Sequence, residues 1–83
     1  MTIKKLLIAN RGEIASRIIR SAHDMGISCV AIYTEADLHT PYVREAEQSF
    51  KISEGYLNSK EILNIAKKAN VDAIHPGYGF LSE

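Results

Sequence analysis

The chain has no surplus of charge: ten Lys and Arg are matched by ten Asp and Glu across 83 residues, for a formal net charge of zero. No net field draws it to nucleic acid or to an acidic membrane surface. Cysteine is nearly missing. The single Cys29 cannot form an internal disulfide, which fits a reducing compartment, with the cytoplasm as the expected location. Long apolar runs are missing too. The longest near the start, Leu6 to Ala9, falls far short of the roughly 20 residues a membrane span needs. Met1 to Lys5 leads into no secretory core, and Glu13 comes too early for an acid-free transit peptide. Repeats, linkers and low-complexity tracts do not occur. With 46% hydrophobic and 24% charged residues, the composition is that of one ordinary globular unit. A unit this short buries too little surface to be a self-sufficient multi-site enzyme.

The apolar residues that are present fall into periodic segments. Ile3, Leu6, Leu7 and Ile8 predict a first buried strand, ended by the turn Ala9-Asn10-Arg11-Gly12. Ile14, Ala15, Ile18, Ile19, Ala22 and Met25 recur at helical spacing, with Gly26 placed as a left-handed C-cap. Glu13, Arg17, Arg20 and Asp24 form a charged stripe on that helix, and its spacing predicts the weak pairs Glu13 with Arg17 and Arg20 with Asp24. Ser28 to Tyr33 predicts a second strand. A brief helical turn over Val43 to Glu47 and a strand over Ser49 to Ser53 follow. Asn58 and Glu61 resemble a capping box for a helix that buries Ile62, Leu63, Ala66 and Ala69 and ends at Asn70. Val71 to His75 predicts a fourth strand before Pro76 and Gly77. Strands separated by helices require parallel crossovers, so the expected fold is α/β, a Rossmann-like open parallel sheet truncated after its fourth strand.

Few residues point to chemistry by themselves. The turn after the first strand stands where open α/β sheets place ligands, but it lacks the G-x-G-x-x-G spacing that lets a pyrophosphate approach the backbone. Glu35, at the end of the second strand, is therefore left without a ribose-binding role. His23, His39 and His75 lack zinc-site spacing, so no metal ligand is assigned, and no Ser-His-Asp or Cys-His arrangement can be drawn. His75 reads as a hydrogen-bonded structural histidine. The segment from His75 to Glu83 alternates glycines and proline with Tyr78 and Phe80, a pattern that specifies backbone shape at a strand end.

Two stretches, Ile8-Ala9-Asn10-Arg11-Gly12-Glu13-Ile14-Ala15 and His75 to Glu83, resemble the signature stretches of biotin carboxylase N-terminal domains. Met25-Gly26-Ile27, Val30-Ala31-Ile32-Tyr33, Ala36-Asp37, Tyr56-Leu57 and Asp72-Ala73-Ile74 resemble further family positions, so the similarity spans essentially the whole chain. The chain departs from the family at Tyr42-Val43, at Ala46-Glu47-Gln48-Ser49, between Ile52 and Tyr56, and at Asn70, where a glycine is common.

The resemblance implies a pre-ATP-grasp domain, residues 1–83, with the ATP-grasp and C-terminal domains of the full-length enzyme not included. In that family ATP, Mg²⁺ and bicarbonate bind in the ATP-grasp domain, and carboxyphosphate leads to carboxylation of biotin on a carrier domain. The partners it implies are the biotin carboxyl carrier domain or protein, a carboxyltransferase and a second copy in a homodimer, with acetyl-CoA, another acyl-CoA or pyruvate as acceptor. By the same resemblance Tyr78, Gly79 and Glu83 border the biotin and bicarbonate pocket, and Arg20 and Asp24 belong to the dimer interface. No catalytic or cofactor-binding residue is assigned within these residues, and the fragment alone is expected to be inactive. Two alternatives stand beside this: the leading domain of another ATP-grasp ligase, and a non-enzymatic small α/β interaction module.

Overall fold

The computed structural model describes residues 2–53 and 59–77. Strands β1 (Lys5–Ile8), β2 (Ser28–Tyr33), β3 (Gln48–Lys51) and β4 (Ala73–His75) form one parallel sheet in the order β3-β2-β1-β4. Helix α1 (Gly12–Asp24) links β1 to β2, and a 3₁₀ turn (Glu35–Asp37) and short helix α2 (Pro41–Glu45) precede β3. Helix α3 (Ser59–Ala69) precedes β4. The chain thus steps outward from β1 through β2 to β3 and returns to the other side of β1. This is the expected Rossmann-like open parallel sheet, with its strand order reversing at β1.

Successive strand residues face opposite sides, and in the central strands β1 and β2 both sides are covered, which is why these two read as apolar runs. Leu7, Ala9, Val30 and Ile32 pack under Ile62, Ile65, Ala66 and Ala69 of α3. Ile8, Cys29 and Ala31 pack against Ala15, Ile19 and Ala22 of α1 and against Tyr42 and Val43 of α2. Tyr42 is fully buried, and its hydroxyl donates to the Ile32 carbonyl at 2.9 Å.

Both long helices end as their local sequence predicts. Gly26 (φ 76°) and Asn70 (φ 59°) adopt left-handed backbone, and Ile27 N–H donates to Ala22 O (2.9 Å) as Val71 N–H does to Ala66 O (3.1 Å). Three residues expected to be buried are not in the core: Ile3, before β1, Met25 and Leu63 are 41%, 74% and 53% exposed. Helix α3 buries the i, i+3, i+4, i+7 set from Ile62 to Ala69, and Leu63 stands about 100° round from Ile62.

The expected capping partner Asn58 lies outside the described residues. The Glu61 carboxylate accepts the Ser53 N–H at 3.2 and 3.3 Å. The middle third resolves into Pro41–Glu45, with proline in the first helical turn, and a strand over Gln48–Lys51. On α1 Arg20 pairs with Glu13 at 3.3 Å, two turns apart, in place of both expected pairs, Glu13 with Arg17 and Arg20 with Asp24.

Candidate functional site

Open α/β sheets bind ligands outside the C-terminal ends of the strands, at the point where strand order reverses. Here that point lies between β1 and β4. Ala9 N–H donates to His75 O at 2.9 Å and extends their ladder by one rung. Asn10, only 1% exposed, then turns its side chain across the seam: Nδ2 donates to Pro76 O at 2.9 Å, and Oδ1 accepts Arg11 N–H at 2.8 Å. A buried amide is costly unless it is hydrogen-bonded, and this one is satisfied at both ends. His75 Nδ1 accepts the Gly77 N–H at 2.9 Å, so the strand-end histidine braces the Pro76-Gly77 turn, the structural role its sequence context predicts.

The neighbouring strand ends are tied sideways in the same way. Arg11 reaches the 3₁₀ turn after β2 and forms a fork with Asp37, Nε to Oδ2 at 2.8 Å and Nη2 to Oδ1 at 2.7 Å. Asp37 is 2% exposed, whereas the Arg11 side chain is 52% exposed, so the carboxylate depends on the fork more than the guanidinium does. Glu35 is held by Lys51 at the end of β3. The Lys51 hydrogen bond, then its charge, keeps the Glu35 carboxyl below its ordinary range, and Lys51 is raised in return.

The result is a stiff ledge. Asn10 and the Arg11–Asp37 fork stand in a turn that lacks the glycine spacing by which a dinucleotide-binding fold admits a pyrophosphate. What the ledge can do is fix the direction in which the chain leaves β4. Tyr78, Gly79 and Glu83 lie outside the described residues; Pro76 and Gly77, which lead into them, are seated on Asn10 and His75. Arg20 and Asp24 stand together on the exposed face of α1, away from this crevice.

The family model for the biotin carboxylase N-terminal domain matches residues 2–83. The chain belongs to the biotin carboxylase N-terminal domain family. It is 54% identical over 87 residues to pyruvate carboxylase of Staphylococcus aureus, covering 98% of this chain and 8% of that protein. It is also 54% identical over 84 residues to biotin carboxylase 2 of Bacillus subtilis, covering 95% of this chain and 19% of that one. Among solved structures, the biotin carboxylase domain dimer of Hydrogenobacter thermophilus 2-oxoglutarate carboxylase, in complex with MgADP, ADP and bicarbonate, superposes with a TM-score of 0.93 at 43% identity. That match covers 99% of this chain and 19% of the other. The chain thus spans only 8 to 19% of the length of the relatives it matches.

Sequence reasoning did not single out two features of this biotin carboxylase N-terminal domain. Asp37 was legible only as a family position, because its partner Arg11 is 26 residues away and no local pattern joins them. The second feature lies at the opposite, N-terminal ends of the strands. There His23 Nε2 comes within 3.0 Å of the Glu47 carboxylate, which also accepts the Cys29 N–H at 2.6 Å. Burial, and then the Glu47 charge, push the Cys29 thiol up to about 11. For Glu47 burial works upward, but the Cys29 N–H and His23 outweigh it and hold the carboxyl below its ordinary range. Spacings of six and 18 residues along the chain gave no metal-site or catalytic signature for this trio.

Proposed function

We propose that this chain is the N-terminal part of a biotin carboxylase, an ATP-dependent ligase that uses bicarbonate to carboxylate biotin held on a carrier domain, and that it forms one wall of the pocket. The observation that carries this reading is the family match over residues 2–83. The crevice supports it. Tyr78 follows directly on the seated Pro76-Gly77 turn, and Tyr78, Gly79 and Glu83 are the proposed rim of the biotin and bicarbonate site. Tyr78 brings a flat ring and a hydroxyl to that rim, and Gly79 permits close approach of a ligand to the backbone.

ATP and Mg²⁺ are assigned to the part of the enzyme that this chain does not span, since the turn after β1 lacks the glycine spacing of a pyrophosphate-binding turn. When bound there, they supply the activation of bicarbonate. A continuing domain also accounts for the outer edge of β4, which has no strand beside it among the described residues. Clefts of about 540 and 530 Å³ flank it, one lined by Leu63, Val71 and Ile74 and the other by Leu6, Ile14 and Ile18. The carrier domain, a carboxyltransferase and a second copy of the chain are the proposed partners, with Arg20 and Asp24 at the homodimer interface. The acceptor is chosen elsewhere: relatives named for different acceptors, a pyruvate carboxylase at 54% identity and a methylcrotonoyl-CoA carboxylase subunit alpha at 48%, both match nearly the whole of this chain.

The test is biotin-stimulated ATP cleavage by the intact protein. Cleavage that stops when bicarbonate is removed is the expected result. ATP binding by residues 1–83 alone, read by calorimetry, would overturn the assignment of nucleotide chemistry to the rest of the enzyme.

A further inference from the structure

At the N-terminal edge of the sheet, His23, Cys29 and Glu47 present a nitrogen, a sulfur and a carboxylate oxygen within 4.8 Å of one another. Three separate elements deliver them. His23 stands in the last turn of α1, Cys29 is the second residue of β2, and Glu47 immediately precedes β3. The backbone locks Glu47 in place, because its N–H donates to Cys29 O at 3.0 Å while its side chain accepts the Cys29 N–H at 2.6 Å. Cys29 is the buried floor of the group, and the half-exposed His23 and Glu47 form its rim, so an ion has a path in from solvent.

We propose that His23, Cys29 and Glu47 form a zinc-class metal site that pins the end of α1 to the starts of β2 and β3. Imidazole, thiolate and carboxylate are all zinc ligands, and three protein ligands with a solvent molecule in the fourth position is a common tetrahedral arrangement. A tetrahedral ion with bonds of about 2.0 to 2.3 Å sets its ligand atoms roughly 3.3 to 3.8 Å apart. His23 and Glu47 already stand 3.0 Å apart, and with Glu47 held by the backbone the spread of at most 4.8 Å for the trio closes by rotation of the His23 and Cys29 side chains. The sulfur decides the class of ion. Mg²⁺ and Ca²⁺ take oxygen ligands, whereas Zn²⁺ and Co²⁺ accept thiolate and imidazole.

Coordination balances by loss of one proton: the Cys29 S–H proton leaves to solvent as the metal–sulfur bond forms, while His23 coordinates through Nε2 as the neutral tautomer that carries its proton on Nδ1. Uptake requires an ion that competes directly with the proton for the thiol sulfur. The site lies at the N-terminal ends of the strands, opposite the Asn10–Gly77 crevice at their C-terminal ends. Its consequence is therefore for the stability and setting of α1, and it stands whether or not the pocket-wall reading does.

The experiment is titration of the intact protein with Co²⁺, taking the Cys29→Ser variant as the blank. The expected result is a thiolate-to-cobalt charge-transfer band with the intense visible bands of a four-coordinate ion, saturating at one ion per chain and bleached by Zn²⁺. His23→Gln and Glu47→Gln should each weaken binding by about tenfold or more. His23 is on the surface, so that variant tests the site even if Cys29→Ser fails to fold. No Cys29-dependent band at millimolar Co²⁺, or a band of unchanged affinity in both rim variants, overturns the site.

Discussion

Gly77 lies directly against the side-chain amide of Asn10: a Cβ added to Gly77 would come within 2.5 Å of Asn10 Nδ2. At most positions a side-chain tip would simply move aside. Asn10 cannot do so freely, because it is buried and its amide is engaged with Pro76 O and with Arg11 N–H. Gly77 also has φ 69°, where an L side chain is strained in any case. Gly77→Ala is therefore expected to cost about 2 kcal/mol in urea unfolding, from the clash and the left-handed backbone together. Combining it with Asn10→Ala should cost less than the sum of the two single changes, since the second change removes the obstacle to the first. Strict additivity would show that the two residues do not act on each other.

The Arg11–Asp37 fork joins a half-exposed cation to a buried anion, so its two ends should respond differently to substitution. Arg11→Met takes two charge-assisted hydrogen bonds from a carboxylate that water does not reach, and about 2 to 3 kcal/mol of destabilisation is expected. Asp37→Asn keeps the shape and leaves Arg11 to solvent, with an expected cost of about 1 to 2 kcal/mol. Denaturant midpoints at neutral pH check the order, and an equal or reversed order refutes the account of the fork.

Asp72 gives the domain an acid-sensitive clip. Its Oδ2 accepts the backbone N–H groups of Lys4 at 2.8 Å and Lys5 at 3.0 Å, and these two hydrogen bonds hold its carboxyl below the ordinary value of 3.8. Because the folded value is the lower one, the contribution is fully present above the unfolded value. It is lost as pH falls through the depressed folded value. Melting temperatures followed from about pH 6 down to about pH 2 should show a shallower acid limb for Asp72→Asn than for the parent. Parallel limbs would remove Asp72 from the acid response.

Arg20 is the surface residue on which the proposed homodimer is most easily tested. In the described chain it pairs with Glu13 at 3.3 Å, an exposed contact of little intrinsic value. Arg20→Glu sets a carboxylate against Glu13 and against the complementary patch of a second copy, so sedimentation of the intact protein should show a larger monomer fraction. Arg20→Ala should give a smaller change in the same direction. An unaltered monomer fraction in both places the interface elsewhere.

Much of the fold was legible locally. Ser28 to Tyr33 is a strand in the structure with the bounds expected from its β-formers, and Gly26 and Asn70 take the left-handed caps that their positions suggest. Side-chain direction was less legible. The sequence pattern favours Leu63 for the core over Ile65 and the structure reverses them, because one apolar residue on either side of a helical stripe looks alike until a sheet is packed beneath it. The proposed rim residues Tyr78, Gly79 and Glu83 were legible through resemblance alone, since nothing in their spacing distinguishes a ligand contact from a tight turn.

By itself the sequence determined the α/β class, the parallel crossovers and the family, because hydrophobic period, helix caps and signature stretches are encoded by residues close together in the chain. Tertiary structure alone decided that Asn10 seats the turn at Gly77, that Arg11 neutralises the buried Asp37, and that His23, Cys29 and Glu47 converge at the other ends of the strands. These groups are separated by 67, 26 and up to 24 residues along the chain. Only the strand order β3-β2-β1-β4, which returns the chain to β1 from the other side, brings Gly77 back to Asn10, while β2 and its neighbours gather the other two groups.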